Sequence, residues 1–334
     1  MEKKKIIFLT SSLSSFINQD IEILKTNFDT QVLVVNQEIR NKKNPVSVVL
    51  FLYKLLRGVI WSDIIFCWFA TNPAYLAVRL SRHFGKKSIV VIGGYEVANE
   101  PEIGYGALQD ERIAFRVAYI LANSDKIIAV SEFNKKEIEK IANPRNIQLL
   151  YNSVDTDKFH LGNQKEDIVT TTCVVSDENL KRKGLITFIE AAKILPNAEF
   201  LVVGKSSDDS IEYLRSIAPG NVTFTGFVPD AKLIDLLQKS KVYCQLSFYE
   251  SFGVAVAESM ACGCIPVITN RGAMHEITGD TGFQVPYGDV NATAEAIKKA
   301  LASRNGDKAR KRIVEYFSSD KREEELVELI EKLD

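Results

Sequence analysis

The sequence predicts an α/β protein built from two doubly wound parallel-sheet domains, and three observations predict it. The chain has 334 residues, enough for two domains at a prior of about 150 residues each. Hydrophobic residues make up 46% and charged residues 25%, a balance that fills two cores and excludes disordered, collagenous and coiled-coil chains. Short runs rich in Val and Ile alternate with helical patterns along most of the chain. Strands covered by helices on both faces look like this, because no face is left for polar residues.

In the first half, residues 5–9, 31–35, 64–68, 88–92, 126–130 and 147–150 read as strands. Val48, Val49, Phe51, Leu52, Leu55, Leu56 and Ile60 recur at spacings of three and four, which predicts a helix over 46–60. Lys54, Arg57 and Asp63 break the apolar stretch 46–69 before about 18 uncharged residues accumulate, so it is too short for a membrane span. Residues 152–167 are polar and aperiodic and read as a linker. The alternation resumes with strands expected at 168–175, 199–203, 222–225, 242–246, 265–269 and 282–285, and helices at 185–195 and 231–238. From Asp307 onward the chain is charged and helical, broken near Phe317-Ser318-Ser319. The expected domains are therefore 1–155 and 156–318, with a last helix, about 319–334, returning to the first. Two such sheets are expected to bind ligands in a cleft at the carboxyl ends of their strands.

Charge and cysteine usage narrow the function. Lys and Arg number 42 against 43 Asp and Glu, a net charge of -1, so the total gives no footprint of a nucleic-acid protein. Five cysteines, odd in number and mostly inside apolar runs, behave as small buried hydrophobes and fit a reduced, cytosolic compartment. Cys262-Gly263-Cys264 lacks C-x-x-C spacing and His83, His160 and His275 are far apart, so no metal site is expected. The apolar run of the opening MEKKKIIFLT is too short for a signal-peptide core, and the chain is expected not to be exported.

The chemistry concentrates in SFYESFGVAVAESMACGCIPVIT, residues 247–269. Glu250 follows a strand, Ser251, Phe252 and Gly253 make a turn, and a helix is expected from Val254 to Ala261 with Glu258 inside it. Free N–H groups at that helix start suit an anion such as a diphosphate. Glu258 stands where a carboxylate accepts the hydroxyls of a ribose, and Glu250 where it orients another polyol. Two solvent-facing glutamates flanking a core helix are the plain structural alternative.

This string resembles the paired-glutamate signature of the retaining glycosyltransferases of GT-B fold, family-four (group 1) type, whose two domains are Rossmann-like. The resemblance implies that Glu250 contacts the donor sugar and Glu258 the nucleotide ribose. It assigns the diphosphate to the backbone of Ser251, Phe252, Gly253 and Val254. VSDENLKRKGLITFIEAAKILP, residues 175–196, is similar to the family's strand, loop and Lys-Gly segment, which makes Lys183 the cation that neutralises the leaving diphosphate. Many members carry Gly-Arg where this chain has Ser176 and Asp177, and Arg182 is the adjacent candidate for the second charge. A bare run of Lys181, Arg182 and Lys183 also reads as a solvated helix entry.

Weaker likenesses cover most of the rest. YNSVDTDKF, residues 151–159, is similar to the family's interdomain linker, and AVSEFNKKEI, residues 129–138, has Ser131 placed as a helix cap. FLVVGK and VTFTGFVPDAKLIDLL resemble base-binding strand ends, which points to Gly204, Gly226 and Phe227 for the nucleobase; a simple strand-to-loop turn is the alternative for each glycine. The first domain departs more. Thr10-Ser11-Ser12-Leu13-Ser14-Ser15 stands in place of a Gly-Gly turn, offering Ser14 for a phosphate or an acceptor. GGYEVANEPEIGYG, residues 93–106, has no histidine where many relatives have one; Tyr95 and Glu96 are its acceptor-side candidates, and its length suits a lid.

The resemblance implies a hexosyltransferase that needs neither metal nor cofactor. It would move sugar from a UDP-sugar or GDP-sugar to a hydroxyl of a glycan or lipid-linked acceptor, with retention at the anomeric carbon. The helix at 46–60, with Lys54, Arg57 and the nearby Lys42 and Lys43, is either a core helix or one that also rests peripherally on an anionic membrane. A nucleotide-sugar epimerase or phosphorylase of the same architecture, or a two-lobed sugar-binding protein, are the competing classes.

Overall fold

A computed structural model of the chain describes residues 3–35, 45–142 and 146–333. The chain divides into two compact units, Met1–Asn152 with Asp320–Asp334, and Ser153–Ser319.

The strands described in the first unit are β1 (Lys5–Thr10), β2 (Asp29–Val34), β3 (Ile64–Trp68), β4 (Lys87–Ile92), β5 (Lys126–Ala129) and β6 (Ile147–Leu149). They pair in parallel in the order β2-β1-β3-β4-β5-β6, so the chain reverses its direction of travel across the sheet between β1 and β3. β3 is buried at every position and β1 and β4 nearly so, with the Phe8 and Phe66 rings stacked 5.3 Å apart. β2 begins at Asp29 rather than at residue 31, and its polar start has a physical reason. Among the described strands it lies at the sheet edge, paired with β1 alone, and it is only partly buried along its length.

The helix Pro45–Trp61 buries Phe51, Leu55, Gly58 and Val59. Its other face is apolar and exposed, with Val46, Val49, Leu50, Leu52, Tyr53, Leu56 and Ile60 in solvent. The helix is thus a core helix on one side and an unusually apolar surface on the other. Lys42 and Lys43 lie outside the described residues. The C-terminal helix Ser319–Glu331 contributes Arg322 to the interior of the first unit, where it pairs with Asp20.

The strands described in the second unit are β7 (Glu166–Thr172), β8 (Glu199–Val203), β9 (Val222–Gly226), β10 (Ser240–Gln245), β11 (Ile265–Thr269) and β12 (Phe283–Val285). Their order is β12-β11-β10-β7-β8-β9, again all parallel. β7 starts at Glu166, inside the run read as linker, because Glu166 already pairs with Ser240 before the apolar residues begin. The core packs Val169, Phe188, Phe200 and Val242 between sheet and helices. Helices start at side chains that accept first-turn N–H groups: Asp110, Ser131, Ser176 and Asp289. Both sheets are the doubly wound α/β type that the alternation predicts. In the second, the reversal falls between β7 and β10, and ligands of such sheets bind at the carboxyl ends beside that point.

Candidate active site

The loops leaving β7 and β10 meet at this reversal. After β7, the Ser176 hydroxyl accepts the Asn179 N–H at 3.3 Å and starts the helix Asp177–Arg182. The Asp177 N–H donates to the Asp208 carboxylate at 3.0 Å, which fixes the segment standing where relatives carry Gly-Arg. At the helix end the Arg182 carbonyl accepts the Phe248 N–H at 2.8 Å and ties this loop to the one after β10. The next residue, Lys183, places its Nζ 2.7 Å from Oε2 of Glu250. Their side chains are 15% and 18% exposed, so the pair is drawn largely out of water yet remains reachable.

Electrostatics follows from this packing. Burial alone pushes the Glu250 carboxyl up, but the Lys183 ammonium, then Arg182 and the Ser247 hydroxyl, outweigh it and hold it below the ordinary carboxylate range. The Arg182 guanidinium donates to Asn179 Oδ1 from Nε at 3.0 Å and from Nη2 at 2.7 Å, which holds it beside the pair. Burial pushes the neighbouring Cys173 thiol up to about 11, so it stays protonated. The Glu250 carbonyl accepts the Ala273 N–H at 2.9 Å, fixing the backbone that carries the carboxylate.

Gly253 precedes the helix Val254–Ala261 with φ 96°, a left-handed conformation that glycine adopts without strain. The N–H groups of the helix's first turn have no intrahelical acceptor. Ser251 is buried, and the Phe252 ring packs against Phe317 at 5.8 Å, so Phe252 offers only its backbone to a ligand. Glu258 lies in the second turn and is half-buried. Gly204 and Gly226 come together at the strand ends, the Gly204 N–H donating to the Gly226 carbonyl at 3.1 Å. A side chain at Gly204 would collide with the Cys173 carbonyl, a packing reason for this glycine. The Phe227 ring is 75% exposed.

The candidates of the first unit differ from one another. Ser14 precedes the helix Ser15–Asn27, and its Oγ is closed off from solvent with no hydrogen-bond partner among the described residues. Tyr95 is exposed and packs edge-on against Tyr105 at 5.2 Å. Glu96 is buried. Its Oε1 accepts the Ala70 and Gly93 N–H groups, both at 3.1 Å, and its Oε2 accepts that of Gly94 at 2.8 Å. Burial raises its pKa, with these backbone donors opposing the rise. Glu96 therefore spends its oxygens bracing its own loop, which a Glu100 to Tyr105 backbone pairing also holds.

Residues that the motifs do not single out complete the surroundings. The Arg271 guanidinium lies 3.8 Å from the Phe248 ring centre and 5.6 Å from that of Tyr287, whose hydroxyl donates to the Lys181 carbonyl at 2.7 Å. Tyr243, Gln245 and Ser247 form a buried polar line behind Glu250. The signal for it in the sequence is their spacing of two, Tyr243 and Gln245 in β10 and Ser247 just after it. Among the described residues no three His, Cys, Asp or Glu side chains gather as a metal set. None of their helices is long and apolar enough to cross a membrane.

The chain is similar to known proteins in sequence and in fold. Residues 157–319 match the family of glycosyl transferases group 1. The capsular polysaccharide biosynthesis glycosyltransferase CapM of Staphylococcus aureus is 31% identical over 222 residues, 58% of this chain and 58% of that protein. Across four curated relatives the chain spans between 23% and 58% of their length. Sucrose-phosphate synthase of Thermosynechococcus elongatus superimposes with a TM-score of 0.84 at 16% identity, over 99% of both chains. HepE of Anabaena, solved with UDP-glucose, gives a TM-score of 0.82 at 16% identity over 99% of this chain and 100% of its own. Residues 157–319 are thus similar to the group 1 glycosyl transferases, and the chain as a whole shares the fold of these structural neighbours.

Proposed function

We propose that this chain is a retaining, metal-independent hexosyltransferase acting on a UDP-sugar or GDP-sugar and a hydroxyl of a glycan or lipid-linked acceptor. The observation that carries the reading is the Lys183 and Glu250 pair, 2.7 Å apart at the strand reversal and beside the helix start at Gly253. The amides of residues 252–254 would receive the diphosphate, and Lys183, with Arg182 beside it, would take up the charge developing on the leaving oxygen. Glu258 would hold the ribose and Glu250 the hexose. The backbone around Gly204 and Gly226 would border the base, and the open Phe227 ring offers it a stacking face. HepE, solved with UDP-glucose, supports a nucleotide-sugar donor. CapM, a capsular polysaccharide enzyme, supports a glycan acceptor.

In the transfer, the acceptor oxygen bonds to the anomeric carbon on the face from which the diphosphate departs. The carbon–oxygen bond to the diphosphate breaks, and the hydroxyl proton passes to the leaving phosphate oxygen. With two protein cations and helix-start amides meeting the departing charge, the step calls for no divalent ion. Acceptor recognition falls to the first unit, with the exposed Tyr95 and, once its closed-off hydroxyl is uncovered, Ser14 as candidate polar groups and Glu96 as a brace. An epimerase or phosphorylase reading gives the paired glutamates less to do.

A thermal-shift panel of UDP-, GDP- and ADP-sugars tests the donor, since a ligand that binds only the folded chain raises its Tm. One base should give a clear rise, and Glu258→Ala should weaken that binding by about 1.5–3 kcal/mol, the range for hydrogen bonds to a charged group. A panel with no response sinks the reading. For a lipid-linked acceptor, the exposed apolar face of the helix Pro45–Trp61, flanked by Lys54 and Arg57, supports peripheral contact with an anionic bilayer. Flotation with phosphatidylglycerol vesicles should be lost in the double variant Val49→Asp, Leu50→Asp. Equal flotation of both proteins would dispose of the membrane contact.

A further inference from the structure

The first sheet has its own reversal, between β1 and β3, and ligands of such sheets bind at the carboxyl ends beside that point. The residue that leaves β3 there is Phe69. Its φ is 73°, and among the described residues it is the one non-glycine with a left-handed backbone. A β-carbon is strained in that region, which glycine enters freely. Such strain persists only where the surroundings enforce it, and it gathers at ligand-binding positions.

Two loops enforce it here. The Phe69 N–H donates to the Val91 carbonyl of β4 at 2.9 Å, and the Phe69 carbonyl accepts the Thr71 N–H at 2.9 Å. The N–H of the next residue, Ala70, donates to Glu96 Oε1 at 3.1 Å, the same oxygen that accepts the Gly93 N–H at 3.1 Å. Glu96 thus ties the loop after β3 to the loop after β4. The Phe69 ring lies over Gly93, where a β-carbon would stand 2.3 Å from its Cε1 and 2.7 Å from its Cδ1. Gly93 is required for that approach alone, since its own φ is not positive. Trp68 meets the Phe69 ring edge-on at 5.5 Å, and the Phe16 ring lies 5.1 Å from Trp68. Packed on these sides, Phe69 nevertheless stays half-buried.

A strained backbone, a buried carboxylate and a missing side chain therefore combine to hold one partly open aromatic ring where the sheet takes its ligands. A loop that had only to turn would be served better by glycine at position 69. An aromatic ring suits a pyranose, whose C–H groups leave one side apolar while hydroxyls line its edge, and sites for such ligands join an apolar face to a few polar groups. Two polar side chains of the same loops are at hand. Thr71 precedes the helix Asn72–His83 without its side chain capping it, and Tyr95 is exposed. We propose that Phe69 is the sugar-stacking face of the acceptor site, held in its strained conformation by Glu96 and accommodated by Gly93. The inference rests on the reading that assigns acceptor recognition to the first unit.

Saturation-transfer NMR on the full chain, with irradiation of the aromatic protons, tests it. The probes are the methyl glycosides of glucose, galactose, mannose and N-acetylglucosamine, each with and without UDP or GDP. At least one glycoside should receive saturation at the C–H protons of one face of its ring. Phe69→Tyr keeps an aromatic ring and should keep that binding. Phe69→Leu keeps apolar bulk without the ring and should weaken it about five- to tenfold, the worth of one aromatic contact. Gly93→Ala leaves Phe69 in the chain but drives its ring aside, and should weaken binding as much, so it decides the case even where Phe69→Leu fails to fold. The rise in Tm that a nucleotide sugar gives should persist in all three variants. No saturation of any glycoside by the wild type, or equal binding in Phe69→Leu and Gly93→Ala, would overturn the stacking role. Saturation confined to the hydrocarbon of a short polyprenyl phosphate would overturn it too, by making Phe69 a lipid contact. A wild type whose Tm no nucleotide sugar raises would overturn the transferase reading instead, and the glycosides would still decide Phe69.

Discussion

Two ion pairs withdrawn from water, one in each unit, are built for opposite purposes. In the first unit Arg322 and Asp20 are 3% and 0% exposed. The guanidinium meets both carboxylate oxygens, Nε to Oδ1 at 2.6 Å and Nη2 to Oδ2 at 2.8 Å. The remaining capacity is also used. Trp68 Nε1 donates to Asp20 Oδ2 at 2.8 Å, and Arg322 Nη1 donates to the carbonyls of Tyr151 at 2.6 Å and Leu150 at 3.3 Å. In the second unit Lys183 and Glu250 share a single 2.7 Å contact and stay partly open. A buried charge is tolerated only when its hydrogen-bonding capacity is satisfied. The first pair is complete and fastens the C-terminal helix to its unit. The second keeps ammonium hydrogens and carboxylate lone pairs in hand, which is what a site for a charged ligand requires.

The sharpest way to break this comparison is Asp20→Ala. It leaves a guanidinium buried against two carbonyls, and should cost about 3–5 kcal/mol of stability, the range for removing one partner of a buried pair. Urea unfolding followed by tryptophan fluorescence reads the right unit, because the two tryptophans, Trp61 and Trp68, both belong to the first. A loss of about 1 kcal/mol or less, the value of an exposed pair, would mean that the closed network stabilises no more than surface charges do.

The two pairs were also unequally visible in the sequence. The strands were legible because each is a Val- and Ile-rich run, and the two parallel sheets are the α/β class those runs predict. Misplacement fell where polarity and pairing disagree, at the edge strand β2 and at the start of β7. Arg322 and Asp20 are 302 residues apart and carry no local pattern, so their pairing was not legible at all. Lys183 and Glu250, 67 residues apart, each stand in a recognisable motif, and only the fold brings them into contact. Glu96 shows the converse. A carboxylate in a glycine-rich loop reads as a ligand-facing group, and only coordinates reveal three backbone N–H groups taking up its oxygens. The polar line of Tyr243, Gln245 and Ser247 was hidden because a strand embedded among apolar runs is read by its Val and Ile, not by the exceptions.

Lys183→Ala sharpens the comparison from the other side. Losing one preorganised cation at a developing negative charge should lower kcat about 10²- to 10³-fold, some ~2.7–4 kcal/mol of transition-state stabilisation. The urea transition of the first unit should not move. The acid side separates this loss from a mere loss of folding. Burial raises the Glu250 pKa, and Lys183 leads the causes that bring it below its ordinary value of 4.5. A depressed carboxylate contributes stability that is fully present above its unfolded pKa and is lost as pH falls through the folded one. Without Lys183 the burial cost is left opposed only by Arg182 and Ser247, so the Glu250 pKa rises and the acidic limb of turnover should move to higher pH. Wild-type turnover in Lys183→Ala, or a reduced turnover whose acidic limb stays in place, would show that the open pair is no more than a second fastening like the first.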